Sequence, residues 1–88
     1  MPKIDLHGLY VHQALEEVEM FMRREAPAAG GVKGQYYAHI VVGAGNHSQG
    51  GKARIKPEVK RWLTERKVKH GLLNVGCFWV DLGTFKAG

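Results

Sequence analysis

The sequence predicts an α/β chain folded as a two-layer α+β sandwich, in the order β-α-β-α-β-β, with a mixed sheet. Apolar residues recur at helical spacing in two separate segments, and each segment is followed by a short run rich in β-formers. The connection before the final strand is only Asn74-Val75-Gly76, too short for a crossover, so that strand is expected to run antiparallel to its partner. The first three strands are linked through helices and can run parallel by right-handed crossovers. A chain of 88 residues, 44% hydrophobic, supplies one core and one domain spanning 1–88.

Each element has its own local reason. Lys3 to Leu6 reads as a short extended segment broken by Gly8. Val11, Ala14, Leu15, Val18, Phe21 and Met22 then predict an amphipathic helix over about 11–25, ended by Pro27 and Gly30-Gly31. Tyr36 to Val42 is β-branched, aromatic and nearly continuous in apolar character, as expected of a central strand. Gly43 to Gly51 reads as loop throughout. Pro57 suits the first position of a second helix whose apolar stripe is Val59, Trp62 and Leu63, and Gly71 is expected to end that helical segment. Leu72-Leu73 and Cys77 to Leu82 are the last two strands. Trp62 and Trp79 read as core residues, which leaves Tyr10 and Tyr36 as the better candidates for stacking on bases.

Composition narrows the function classes. No apolar run approaches the ~20 residues of a membrane span, and Met1-Pro2-Lys3 leads into a folding segment without the apolar stretch of a signal peptide. The chain is therefore expected to be soluble and cytoplasmic, with the nucleus as the alternative. Cys77 is the only cysteine, which excludes an internal disulfide, and its apolar surroundings mark it as a small core residue. The formal charge of +5 is unevenly placed. Five carboxylates oppose three basic residues in 1–25, whereas Lys52 to Lys69 holds eight basic residues against Glu58 and Glu65. A basic segment adjoining a glycine-rich loop points to a polyanion.

Two groups of residues carry candidate chemistry. Asp5 and His7, two apart in an extended segment, have side chains on one side, where a carboxylate can orient an imidazole for acid–base work. The alternative is that Asp5 only braces the Gly8 turn. Gly43-Ala44-Gly45-Asn46-His47-Ser48-Gln49-Gly50-Gly51 comes after the second strand, and its backbone amides beside a helix start can form an anion-binding concavity. It is not a Walker loop, since Gly51 stands after Gly50 where lysine is required, nor a dinucleotide fingerprint, since Ser48 replaces the third glycine. His7, His12, His39, His47, His70 and Cys77 lack zinc-ligand spacing, and the only aspartates are Asp5 and Asp81. No cofactor is indicated beyond at most one loosely held divalent cation such as magnesium.

Ile4-Asp5-Leu6-His7-Gly8-Leu9, then Gly43-x-Gly45-Asn46-His47-Ser48-x-Gly50-Gly51, then Ile55-Lys56-Pro57 and Val59-x-x-Trp62-Leu63, together resemble the Smr (small MutS-related) domain in its eukaryotic form, over about residues 4–82. The resemblance implies a fold similar to the C-terminal domain of translation initiation factor three, a four-stranded mixed sheet with two helices on one face. It also implies nucleic-acid endonuclease activity, seen in the family as DNA nicking and as RNA cleavage, including cleavage of messenger RNA on stalled ribosomes. Asp5 and His7 match the family's Leu-Asp-x-His motif, and Gly43 and Gly45 its x-Gly-x-Gly loop. Val42 stands where the family often has Thr or His, and Ala44 where it often has Arg or Lys. Those departures remove a proton-transfer group and a cation.

The expected function is thus phosphodiester cleavage, with RNA ahead of DNA and the ribosome as a further partner. Asp5, His7 and His47 are the expected catalytic residues. Gly43, Ala44, Gly45, Asn46, Ser48, Gly50 and Gly51 would bind phosphate, and Lys52, Arg54, Lys56, Lys60 and Arg61 the rest of the backbone. The domain is expected to act as a monomer without a membrane. The alternative is a non-catalytic module that docks RNA, DNA or the ribosome through the same surface.

Overall fold

A computed structural model describes residues 1–29, 36–43 and 55–85. Its elements are β1 (Lys3–Asp5), α1 (Val11–Ala29), β2 (Tyr37–Val41), α2 (Ile55–Glu65), β3 (His70–Asn74) and β4 (Cys77–Asp81), closed by a 3-10 turn at Leu82–Thr84. The strand order is β1-β2-β4-β3. β1 and β2 are parallel, with Asp5 opposite Val41, and β4 is antiparallel to both β2 and β3. The three helix-linked strands therefore point the same way, and the final strand is inserted between the second and third.

The two helices bury equivalent stripes: Ala14, Val18, Phe21 and Met22 in α1, and Ile55, Val59, Trp62 and Leu63 in α2. Both stripes meet Ala38 and Ile40 of β2 and Phe78 and Val80 of β4 in one core cluster, so both helices cover the same face of the sheet. α1 begins with a bond from the Ala14 N–H to the Tyr10 carbonyl. Tyr10 has no side-chain oxygen close enough to act as a short cap, but Gln13 reaches back, its Oε1 accepting the Tyr10 N–H at 3.1 Å. The helix continues to Ala29, past the stop expected at Pro27. A proline so near the helix end removes one backbone bond and leaves little helix beyond it to kink.

Two other local expectations are revised. α2 starts at Ile55, before Pro57, and ends well before Gly71. Its end is a Schellman arrangement: the Val68 N–H donates to the Leu63 carbonyl at 3.0 Å, the Lys67 N–H to the Thr64 carbonyl, and Lys67 takes a left-handed φ of 58°. Lysine is strained there by its Cβ, so Lys67→Gly is expected to raise stability by about 0.5–1 kcal/mol in denaturant unfolding. Gly71 belongs to β3, where a Cβ would lie 2.7 Å from Nε1 of Trp79. Trp79 itself is not core. Phe78 and Val80 take the helix-facing positions, so strand alternation turns Trp79 to the opposite face, where it is half-buried and packs edge-on against Tyr37 at 5.5 Å. Trp62 is core, stacked on Phe85 at 6.0 Å.

Cys77 is buried, and burial pushes its thiol above the ordinary value, which keeps it protonated and unreactive at neutral pH. Asp81, also buried, caps the 3-10 turn through an Oδ1 that accepts the Gly83 N–H. Among the described residues no helix is long and apolar enough to cross a membrane.

Candidate active site

The parallel pairing of β1 with β2 brings the carboxyl ends of both strands together, the edge at which ligands bind in α/β sheets. Leu6 anchors the exit of β1. Its side chain is fully buried and its N–H donates to the Val41 carbonyl at 2.7 Å, which directs its neighbours Asp5 and His7 to solvent. Asp5 Oδ1 then accepts twice, from the His7 backbone N–H at 3.0 Å and from the ring Nδ1 at 2.8 Å. The backbone bond fixes the turn and the ring bond fixes the imidazole. With Nδ1 donating to a carboxylate, Nε2 is the ring atom left for a reacting group. These hydrogen bonds, first the ring's and then the backbone's, hold the Asp5 carboxyl below its ordinary value, with the charge of Lys3 assisting.

Gly43 closes the other side of the site. Its φ is +81°, and a Cβ built on it would stand 3.4 Å from the His7 Cβ. A side chain at this position would be strained by the positive φ and would stand in contact with His7. The Gly43 N–H donates to the Gly76 carbonyl at 3.1 Å, as does the Val42 N–H at 2.8 Å. Gly43 therefore contributes shape and close approach here, and its amide is already used within the fold. Val42 is buried and presents only hydrocarbon.

The basic residues divide. Lys56 Nζ donates to the Val75 carbonyl at 2.7 Å, one residue from the carbonyl that holds Gly43, so this lysine is tied to the same end of the sheet as His7. Lys60, one helical turn on, shares with Lys56 the flank of a groove against β3. Arg61 instead pairs with Glu58 at 3.4 Å and Glu65 at 3.8 Å along α2, a row of carboxylates that offsets its charge. Arg66 lies over the Trp62 ring at 4.2 Å and near Glu19 of α1, a packing position. Ala44, Gly45, Asn46, His47, Ser48, Gly50, Gly51, Lys52 and Arg54 lie outside the described residues. Among the described residues no three His, Cys, Asp or Glu side chains cluster as metal ligands.

The sequence marks Val75 and Gly76 only as a connection between strands; the link their carbonyls make between Lys56 and Gly43 runs through the backbone and carries no sequence signal. His70 and Leu72, which line the groove beside Lys60, also escape a linear reading, since only the sheet order sets β3 next to α2.

Residues 4–75 match the family model described as the Smr domain. The chain belongs to the Smr domain family. It is 38% identical over 79 residues to human NEDD4-binding protein 2, covering 90% of this chain and 4% of that protein. It is also 35% identical over 76 residues to Endonuclease NBR9 of Saccharomyces cerevisiae, covering 82% of this chain and 26% of the yeast protein. This Smr domain thus spans a minor part of the length of those relatives. Among solved structures, the solution structure of the Smr domain of NEDD4-binding protein 2 superposes with a TM-score of 0.76 at 36% identity, over 100% of this chain and 88% of that one. A crystal structure of a human small-MutS related domain gives 0.74 at 37% identity, over 89% and 96% of the two chains. The four-stranded mixed sheet with two helices is the fold of these Smr domains.

Proposed function

We propose that this domain binds nucleic acid and cleaves it as an endonuclease, with single-stranded RNA as the preferred substrate. The observation that carries the reading is the bond between Asp5 Oδ1 and His7 Nδ1 at 2.8 Å, beside the glycine turn at the carboxyl edge of the sheet. The similarity to a yeast protein named an endonuclease supports it. The glycine-rich segment that follows Gly43 in the sequence takes the scissile phosphate, and Lys56 and Lys60 hold the flanking backbone. His7, held by Asp5, exchanges a proton through Nε2, with His47 as its counterpart. The ribose 2′-OH attacks phosphorus as one imidazole takes its proton. The P–O5′ bond breaks as the other protonates the leaving oxygen, which yields a 2′,3′-cyclic phosphate and a 5′-OH end. A ribosome-bound messenger RNA is a natural form of this substrate.

The experiment is cleavage of end-labelled single-stranded RNA with and without EDTA, and then a single 2′-deoxy substitution at the mapped cut site. Cleavage in both buffers that stops on 2′-deoxy substitution is the expected result. Continued cutting of the 2′-deoxy strand sinks internal transesterification. A second reading, a binding module without turnover, is favoured by one observation: Val42, next to Gly43, is buried hydrocarbon with no proton to exchange. RNA binding with no product under any condition would select it.

A further inference from the structure

Between α2 and the edge strand β3 lies a groove of about 520 Å³, outside the Asp5-His7 site. Its apolar walls are Pro57, Leu72 and Phe78, its rim carries Lys56 and Lys60, and His70 closes one side. No carboxylate among the described residues lines it, although Glu58 sits on the same helix, paired with Arg61. Leu72 is 55% exposed, a large apolar side chain left open to solvent at the groove mouth. His70 Nδ1 donates to the Val68 carbonyl at 2.7 Å, so in the neutral ring Nε2 is an acceptor.

We infer that this groove is a nucleobase subsite, taking one unstacked base of a single strand while Lys56 and Lys60 hold the phosphates on either side of it. The inference rests on the nucleic-acid reading above and specifies where the strand leaves the cutting site. Three features favour a nucleotide. The walls are apolar, the rim charges are both positive, and the groove is linked to the site through Lys56. That lysine bonds the Val75 carbonyl, and the next carbonyl, of Gly76, holds the Gly43 turn beside His7. Lys56 and Lys60 are one helical turn apart, about 6 Å along the axis, comparable to the step between neighbouring phosphates of an extended strand. A base edge that donates an N–H finds its acceptor in His70. A duplex keeps its bases stacked and cannot fill the groove, so the subsite selects single strands.

The test uses fluorescence anisotropy with a mixed-sequence single-stranded RNA octamer and, as a base-free polyanion, inorganic polyphosphate of similar charge. Leu72→Ala is expected to weaken RNA binding roughly fivefold or more and to leave polyphosphate binding unchanged. His70→Ala is expected to level the differences in affinity among the four homopolymeric octamers. Leu72 is exposed, so the fold should survive, and amide-shift dispersion in an NMR spectrum checks this. If both variants bind RNA like the unchanged domain while Lys56→Glu with Lys60→Glu weakens RNA and polyphosphate alike, the base subsite is overturned and the nucleic-acid reading stands. If the unchanged domain binds no RNA, both fall. Shifts of β3 amides on adding an acidic peptide, with none on adding RNA, would assign the groove to a protein segment added at the sheet edge and overturn the inference.

Discussion

Replacing His7 by alanine is expected to lower the rate of RNA cleavage by about 10²–10⁴-fold, the range for loss of a positioned acid–base group, while RNA affinity and thermal stability stay unchanged. The side chain is largely exposed, so its truncation leaves no cavity. Asp5→Asn should act in the same direction with a smaller effect. An amide oxygen can still accept the Nδ1 proton, but it cannot stabilise the imidazolium that forms during proton transfer. The pH dependence of this brace has a definite sign. The Asp5 carboxyl lies below its ordinary value when folded, so what it adds is present above the usual carboxylate range and is lost only as pH falls through its lowered value. Across pH 5–8 Asp5 is ionised, and changes of rate in that window belong to other groups. Single-turnover cleavage over pH 4–9, for the unchanged domain and Asp5→Asn, measures this. A His7→Ala variant that cuts at the original rate removes His7 from the chemistry.

Phe78→Ala is expected to have the largest effect on stability, about 3–5 kcal/mol, from lost burial plus the cavity left behind. Phe78 is 1% exposed and lies opposite Ile40 in the centre of the sheet, with His70 edge-on to its ring at 6.1 Å. A domain of this size holds only about 5–15 kcal/mol in total, so the variant gives up a large share of its stability. Each kcal/mol lowers the midpoint by about 4–8 °C at this length. Thermal denaturation monitored by circular dichroism gives the value. A fall under ~1 kcal/mol would mean that the core closes around the missing ring, against the close packing expected of an interior.

The contrast between Phe78 and Trp79 shows where a linear reading stops. Both stand in one apolar run, Cys77-Phe78-Trp79-Val80, and composition gives no reason to separate them. The register does: Phe78 lies opposite Ile40 beneath the helices, and Trp79 lies opposite His39 on the other face of the sheet. Gly71 is similar. As a glycine after a helical stripe it reads as a helix stop, yet the stop is made by backbone bonds at Lys67 and Val68, and Gly71 is needed because the Trp79 indole lies where its side chain would be.

Most patterns that depend on neighbours along the chain are legible, although the helix ends are not. The stripes of α1 and α2, the parallel pairing implied by a helical crossover, the antiparallel last strand and the Asp5-x-His7 pair all come from spacing alone, because they arise from the period of a helix, the reach of a connection and the alternation of a strand. Residues brought together across the sheet were not. The sequence contains Lys56, His70, Leu72 and Gly76 without relating them, and insertion of β4 between β2 and β3 is what puts β3 at the edge beside α2 and turns the Gly76 carbonyl toward Gly43. The reason is physical: helical and strand periodicity are written into local backbone geometry, whereas strand order is settled by which faces can be buried together in one core.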